Sequence, residues 1–345
     1  MNGHNDPLMR KDWIDWSRGI LMFLVYVYHS EVYYGDGHSW SWTFAPFFLT
    51  GFFFISGYLF CKDLYAVSLS KKCKQILKGL LIPYLFFTIL FIVPKFLFYQ
   101  SDVQQLIIDV FMFRASWFVV VIGILQLIYA ITLYKSPSNK KLFFTTFVLF
   151  LIGYLSVYLY QDIPTFVANS SWLQSPLLPN RFPFCLNIAF VMCPFFYLGI
   201  VYRQIKREIK ISVKALIIMI AVYTIIISVD RLYIGSNITI AMHEYINLPI
   251  VFLYGLLGIV ILIEVSKRIY KVRFINYIGK HSILFYFLNG IALQFVTKAA
   301  NIISIGNRGG VFKYHIYCYN SLSANISCRL VYNPLLPILG RKKII

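Results

Sequence analysis

Arg18 and His29 stand eleven residues apart in an apolar stretch near the start of the chain. Each residue of an α-helix turns the chain by about 100°, so eleven residues complete three turns and about 20° more. Both side chains then share one face, about 16 Å apart along the axis. Asp15 lies on the same side, within about 60° of Arg18. One stripe thus carries an acid and a base near one end and an imidazole further along. An ionisable group inside a membrane span is costly to insert and is a functional candidate by default. A guanidinium is suited to holding phosphate. An imidazole, with an ordinary pKa of about 6.5, is suited to taking a proton from a hydroxyl. The competing reading makes Arg18 a cytoplasmic charge anchor and His29 an interfacial residue bonded to a backbone carbonyl.

An acyl-CoA has an anionic nucleotide head and a long arm ending in a thioester, so one such molecule spans both groups. Further along, Ser56-Gly57 lies inside FFFISGYLF. A serine-glycine step admits close approach of either another backbone or a ligand. Lys71, Lys72, Lys74 and Lys78 fall within eight residues, ahead of Pro83-Tyr84. They suit CoA phosphates and anionic lipid headgroups alike. Trp117 opens an apolar run where an aromatic belt is ordinary. Arg181 lies in a long polar connection and is a candidate sugar or phosphate contact. Asp230 and Arg231 are a candidate ion pair, and His243-Glu244 a solvated loop pair. The six cysteines form no CxxC spacing and no Cys/His set suited to zinc, so no metal is expected.

The elements that position these residues follow from composition. Of 345 residues 59% are hydrophobic and 13% charged, against roughly 25% charged in a soluble domain. A water-soluble chain this apolar has too little polar side chain to cover itself. Apolar runs of about 20 residues recur throughout, which is the length a spanning helix needs. Spans are expected near 15–34, 44–61, 79–99, 116–134, 142–160, 184–202, 213–234, 248–265, 282–298 and 319–340. The last contains Asn320, Asn325, Arg329 and Asn333 and is the most polar. With the N-terminus inside, 24 of the 32 Lys and Arg fall on inner segments, including Arg341-Lys342-Lys343. That alternation predicts an even number of spans with both termini cytoplasmic. The net charge of +19 is therefore a topology signal, and no nucleic-acid motif accompanies it. The expected architecture is an all-α, polytopic bundle of about ten helices. It forms a single membrane domain over 1–345, with a short cytoplasmic segment 1–14, no cleaved leader and no soluble accessory domain.

Several segments resemble the bacterial membrane acyltransferase 3 family. RKDWIDWSRGILMFLVYVYHS carries its basic residue, ten residues, then histidine, matched by Arg18 and His29. FFFISGYLF is similar to its second-helix stretch through Phe53, Phe54, Ser56, Gly57 and Tyr58. LKGLLIPYLFF places Lys78 and Pro83, SWFVVVIGILQ resembles its Trp-Phe segment, and CPFFYLGIVYR its Pro-Phe-Phe stretch. IGKHSILFYFLNG matches through Gly279, Ser282 and Tyr286. The resemblance runs from about residue 10 to 295. It implies a multi-pass enzyme of the bacterial cytoplasmic membrane that moves an acyl group, often acetyl, from acyl-CoA to an extracytoplasmic sugar hydroxyl. It implies a catalytic His29. Asp15 and Arg18 then organise the donor entrance, with Ser56, Lys72 and Lys78 helping to hold the donor. Trp117, Arg181 and Asn289 are expected to meet a glycan or lipid-linked saccharide acceptor, with membrane lipids around the bundle. Asn289 occupies the place of a late family histidine and carries no proton at neutral pH. The rival reading is a transporter or flippase of a lipid-linked saccharide, which predicts paired broken helices in two halves. No such repeat occurs.

Overall fold

A computed structural model of the chain describes residues 12–34, 40–99, 110–111, 113, 116–134, 137–162, 183–205, 211–239 and 244–306. The long helices are α1 (Asp12–Tyr34), α2 (Ala45–Phe60), α3 (Leu69–Ile76), α4 (Ile82–Tyr99), α5 (Trp117–Leu133), α6 (Asn139–Asp162) and α7 (Leu186–Gln204). They continue as α8 (Val213–Tyr233), α9 (Leu248–Ile269), the short α10 (Arg273–Lys280) and α11 (Ser282–Gly306). A π-helical turn, Leu77–Leu81, joins α3 to α4. Each of the first nine expected spans coincides with a helix; the segment 319–340 lies outside the described residues. Two features differ from the expectation. The polar connection after α8 folds as an antiparallel hairpin of β1 (Asn237–Thr239) and β2 (Glu244–Ile246). The basic stretch before α11 forms α10, which packs against α1.

The surface of the bundle is apolar where a soluble protein would be charged. α8 turns Ile217, Ile218, Ile225 and Leu232 outward, each at least 61% exposed. α4 and α6 do the same with Phe86, Ile89, Phe143 and Phe144. Helix α7, helix α8, helix α9 and the segment Leu69–Phe91 are long and apolar enough to cross a membrane. Hydrocarbon satisfies no backbone polar group, so a chain crossing it must bond its own N–H and C=O groups, as a helix does. The fold is that of a membrane-embedded helical bundle.

Glycines set how closely these helices cross. α2 is mostly buried and packs along α7. A methyl at Gly57 would overlap the Phe196 carbonyl, and one at Gly199 the Phe54 carbonyl, so each helix lends the other a bare position. Gly153 of α6 does the same against Val191 of α7, and Gly258 of α9 against the Phe47 ring. In lipid, where apolar side chains gain little by leaving the solvent, such close packing is a main source of helix association. Gly57 thereby settles the Ser56-Gly57 step: the partner at the glycine is a backbone.

At one end of the bundle, the Glu31 carboxylate accepts from the backbone N–H groups of Trp40 and Ser41, at 2.8 and 2.9 Å. Tyr223 on α8 donates to the Thr43 carbonyl at 2.6 Å. These bonds tie the segment just before α2 to α1 and α8. Asp230 and Arg231 are not the pair expected of them. Asp230 is 4% exposed and accepts from Ser236 Oγ at 2.6 Å, whereas Arg231 points away and is exposed. Adjacent residues on a helix diverge by about 100°, which separates their side chains.

Gly199→Val should destabilise the folded chain by about 1–3 kcal/mol, the range for overpacking a tight contact. Gly79→Ala, where nothing lies within 4 Å of the added carbon, should leave stability unchanged or slightly raised. Thermal unfolding in detergent, followed by circular dichroism, measures both. Equal melting temperatures for the two variants would remove the crossing argument.

Candidate functional site

The stripe on α1 faces α11. The half-buried Arg18 donates from Nη2 to Ser282 Oγ at 2.7 Å, and Ser282 is the first residue of α11. Eight residues on, Tyr26 donates to the Phe285 carbonyl at 2.9 Å. The two bonds run in the same order along both chains, so α1 and α11 lie side by side and parallel. Three residues past Tyr26 is His29, and four past Phe285 is Asn289. Counted from that second bond, His29 lies about 4.5 Å further along α1 and Asn289 about 6 Å further along α11.

His29 is half-buried, with the edge of its ring against Tyr28 at 5.6 Å between centroids. Tyr28 in turn lies on Phe48 of α2, at 5.4 Å. Asn289 is 6% exposed, and its side-chain oxygen has no hydrogen-bond partner. A buried acceptor left unpaired costs about 1–3 kcal/mol. Such an oxygen is placed to accept from a hydroxyl. His281 caps the end of α10, 4.7 Å from the Tyr277 ring, at the start of α11 and far from the level of His29.

Asp15 is 7% exposed at the point where α10 crosses α1; a methyl at Gly279 would overlap its carbonyl. Ser56 is half-buried on α2. The α1–α2 register is fixed by Trp13 against Tyr58 (5.3 Å) and Leu21 against Gly51. That antiparallel register sets Ser56 near the height of Asp15 and Arg18, and away from His29. Of the two lysines expected at the donor, Lys72 turns inward: its ammonium donates to the Phe60 carbonyl and sits 4.4 Å over the Phe60 ring. Lys78 turns outward and is exposed within the π-helical turn. Trp117 is half-buried at the start of α5, 5.8 Å from Phe118, which contacts Phe52, Phe53 and Tyr286. Arg181 lies outside the described residues. Among the described residues no three His, Cys, Asp or Glu side chains gather as metal ligands would.

A cluster at the Arg18 end was not anticipated. Arg203, in the last turn of α7, donates to the Tyr58 hydroxyl at 2.7 Å and lies 4.7 Å over its ring. Lys267, in the last turn of α9, donates to the Tyr202 hydroxyl and to Glu264, each at 2.8 Å. Arg268 reaches the other Glu264 oxygen at 3.0 Å. Glu264 is 4% exposed in an otherwise apolar run. An acid inside such a run is itself a signal, and its partners one turn on were legible at helical spacing. The contacts to Tyr58 and Tyr202 were not, since they join helices far apart in sequence.

Cys61 ends α2 within this cluster. Burial pushes its thiol up to about 11; nearby Lys72 and Arg203 oppose the rise and Asp63 adds to it. The thiol form, a weak nucleophile, prevails at neutral pH.

A membrane-embedded bundle whose first helix carries an arginine and a histidine on one stripe, with the arginine bonded to a late helix, is the class that fold and site define. The chain belongs to the acyltransferase 3 family, whose acyltransferase domain is matched over residues 11–317. It is thus a membrane acyltransferase. No curated protein and no solved structure matches it.

In a variant keeping Cys61 as the sole cysteine, alkylation by iodoacetamide should be slow at pH 7 and climb about tenfold per pH unit toward about 11, because burial disfavours the thiolate. A rate that levels off near pH 8, read by mass spectrometry, would show an ordinary thiol.

Proposed function

We propose that the chain transfers an acyl group, acetyl in the simplest case, from acyl-CoA to a hydroxyl of a cell-surface glycan or its lipid-linked precursor. The reading places it in the bacterial cytoplasmic membrane, with the Arg18 end at the cytoplasm. The donor enters there, the anionic head remains near the basic end, and the thioester reaches toward His29. The observation that carries this reading is the shared stripe of α1: Arg18 is anchored on Ser282, His29 lies about 16 Å further on, and the neighbouring α11 carries the buried, partnerless side-chain oxygen of Asn289.

In the chemical step, His29 takes the proton of the acceptor hydroxyl as that oxygen attacks the thioester carbonyl. A new C–O bond forms. The C–S bond of the tetrahedral intermediate then breaks, and the departing CoA sulfur takes the proton from the imidazolium. Direct transfer needs no covalent enzyme intermediate. Asn289 accepts from a sugar hydroxyl and orients it, a role that needs no titrating group. Arg18 offers positive charge to the donor on its way in, and Asp15 and Ser56 stand at the same height to hold it. Trp117 and Arg181 are assigned to the acceptor side, and Lys72 to the donor side. An adjacent lipid headgroup is the natural neighbour of Lys78.

His29→Ala should lower acyl transfer by about 100- to 10,000-fold, the usual contribution of a general base. Arg18→Ala should chiefly weaken use of the donor. The measurement is transfer of radiolabelled acetyl from acetyl-CoA to cell-envelope glycan by membranes with matched amounts of each variant. Unaltered transfer by both variants would end the proposal.

A further inference from the structure

The cations at the Arg18 end divide into two sets. Lys71, Lys74 and Lys78 are exposed, as charges that mark a cytoplasmic surface should be. Arg203, Lys267 and Lys72 instead turn inward, onto aromatic rings. Arg203 lies over Tyr58, Lys267 bonds Tyr202, and Lys72 lies over Phe60. Tyr58 and Tyr202 are 5.9 Å apart, and Trp13 of α1 meets Tyr58 edge-on at 5.3 Å. Tyr58 and Phe60, the rings under Arg203 and Lys72, stand two residues apart at the end of α2, which brings the two halves close. Lys267 and Arg268 share the single carboxylate of Glu264, and Arg203 and Lys72 rest on rings, so positive charge is in surplus.

These cations keep donors in hand. A guanidinium has five N–H groups and an ammonium three. Arg203 commits one bond to Tyr58, and Lys267 commits one each to Tyr202 and Glu264. Two further donors nearby are buried with no acceptor: the side-chain nitrogen of Gln204, next to Arg203, and the indole nitrogen of Trp16, one turn along α1 from Trp13. Buried polar groups are nearly always paired, so orphaned donors beside surplus cations mark the place of an acceptor-rich anion. A lipid anchor alone would leave Arg203 and Lys267 reaching outward, as long basic side chains at helix ends usually do.

We infer that Arg203, Gln204 and Lys267, set beside Tyr58 and Tyr202, together with Lys72 over the nearby Phe60, form the binding site for the phosphorylated nucleotide head of the acyl-CoA donor. The phosphates lie among the cations and the orphaned donors. Arg18 is then the next positive group inward, about 8 Å up α1 from Trp13, on the path toward His29. The inference rests on acyl-CoA being the donor.

The test is a calorimetric titration of CoA into the full chain in phosphatidylcholine nanodiscs, paired with KM and kcat for acetyl-CoA. Arg203→Gln and Lys267→Met should each weaken CoA at least tenfold and raise KM, with kcat within about twofold. Arg203→Lys should recover most of the loss. Gln204→Glu, nearly isosteric and therefore safe for the fold, places a carboxylate against the phosphates and should match Arg203→Gln. His29→Ala should bind CoA as the unaltered chain does. If the unaltered chain binds no CoA, the donor reading falls and this site falls with it. If it binds CoA, and Arg203→Gln, Lys267→Met and Gln204→Glu all retain affinity within twofold, the site alone is overturned. Loss of co-purifying phosphatidylglycerol in those variants, with CoA affinity intact, would assign the cluster to a lipid headgroup instead.

Discussion

Two glycines hold α10 across the foot of α1. Gly19 lies against the Ile275 carbonyl and Gly279 against the Asp15 carbonyl, so each helix supplies a position without a side chain where the other's backbone must pass. With α10 held there, α11 must start beside Arg18, and Ser282 becomes the acceptor of its guanidinium. Hydrogen bonds made by a charged group are stronger than ordinary ones, so this contact favours one register of α11 on α1. Everything further along follows. Tyr26 meets Phe285, and His29 and Asn289 each lie about one turn beyond that bond on their own helices.

The same device recurs around α2, where Gly57 and Gly199 exchange carbonyl contacts with α7. The result is a tightly crossed group of helices, α1, α2, α6, α7, α9 and α10, against which others pack more loosely. α8 shows the contrast, with much of its length facing outward in isoleucine, valine and leucine. Rigid crossings suit the helices that carry chemistry, because a side chain can be placed only as well as its backbone is held.

The polar groups divide by height. At one end lie Arg203, Lys267, Lys72 and Glu264 with tyrosines and Trp13; Arg18 stands further in; His29 and Asn289 stand near the far end. Such a gradient fits a substrate that is charged at one extremity and reactive at the other. The thiol of Cys61, kept protonated by burial, plays no part in the chemistry proposed.

The sequence alone determined what is local. Runs of apolar residues required helices, because backbone in hydrocarbon has no other partner. The spacing of Arg18 and His29 put them on one face whatever the surroundings, and the ordered motifs named the family. Sequence also flagged Ser56-Gly57 as a place of close approach without saying what approaches. Tertiary structure decided that the glycine meets the Phe196 carbonyl, that Lys72 turns inward while Lys78 does not, and that Asp230 bonds Ser236 and not Arg231. It also joined Arg203 to Tyr58 across 145 residues of chain. Helical periodicity fixes the direction of a side chain about its own axis only. Which neighbour stands in that direction depends on where helices cross, and crossings are chosen by the packing of many residues at once.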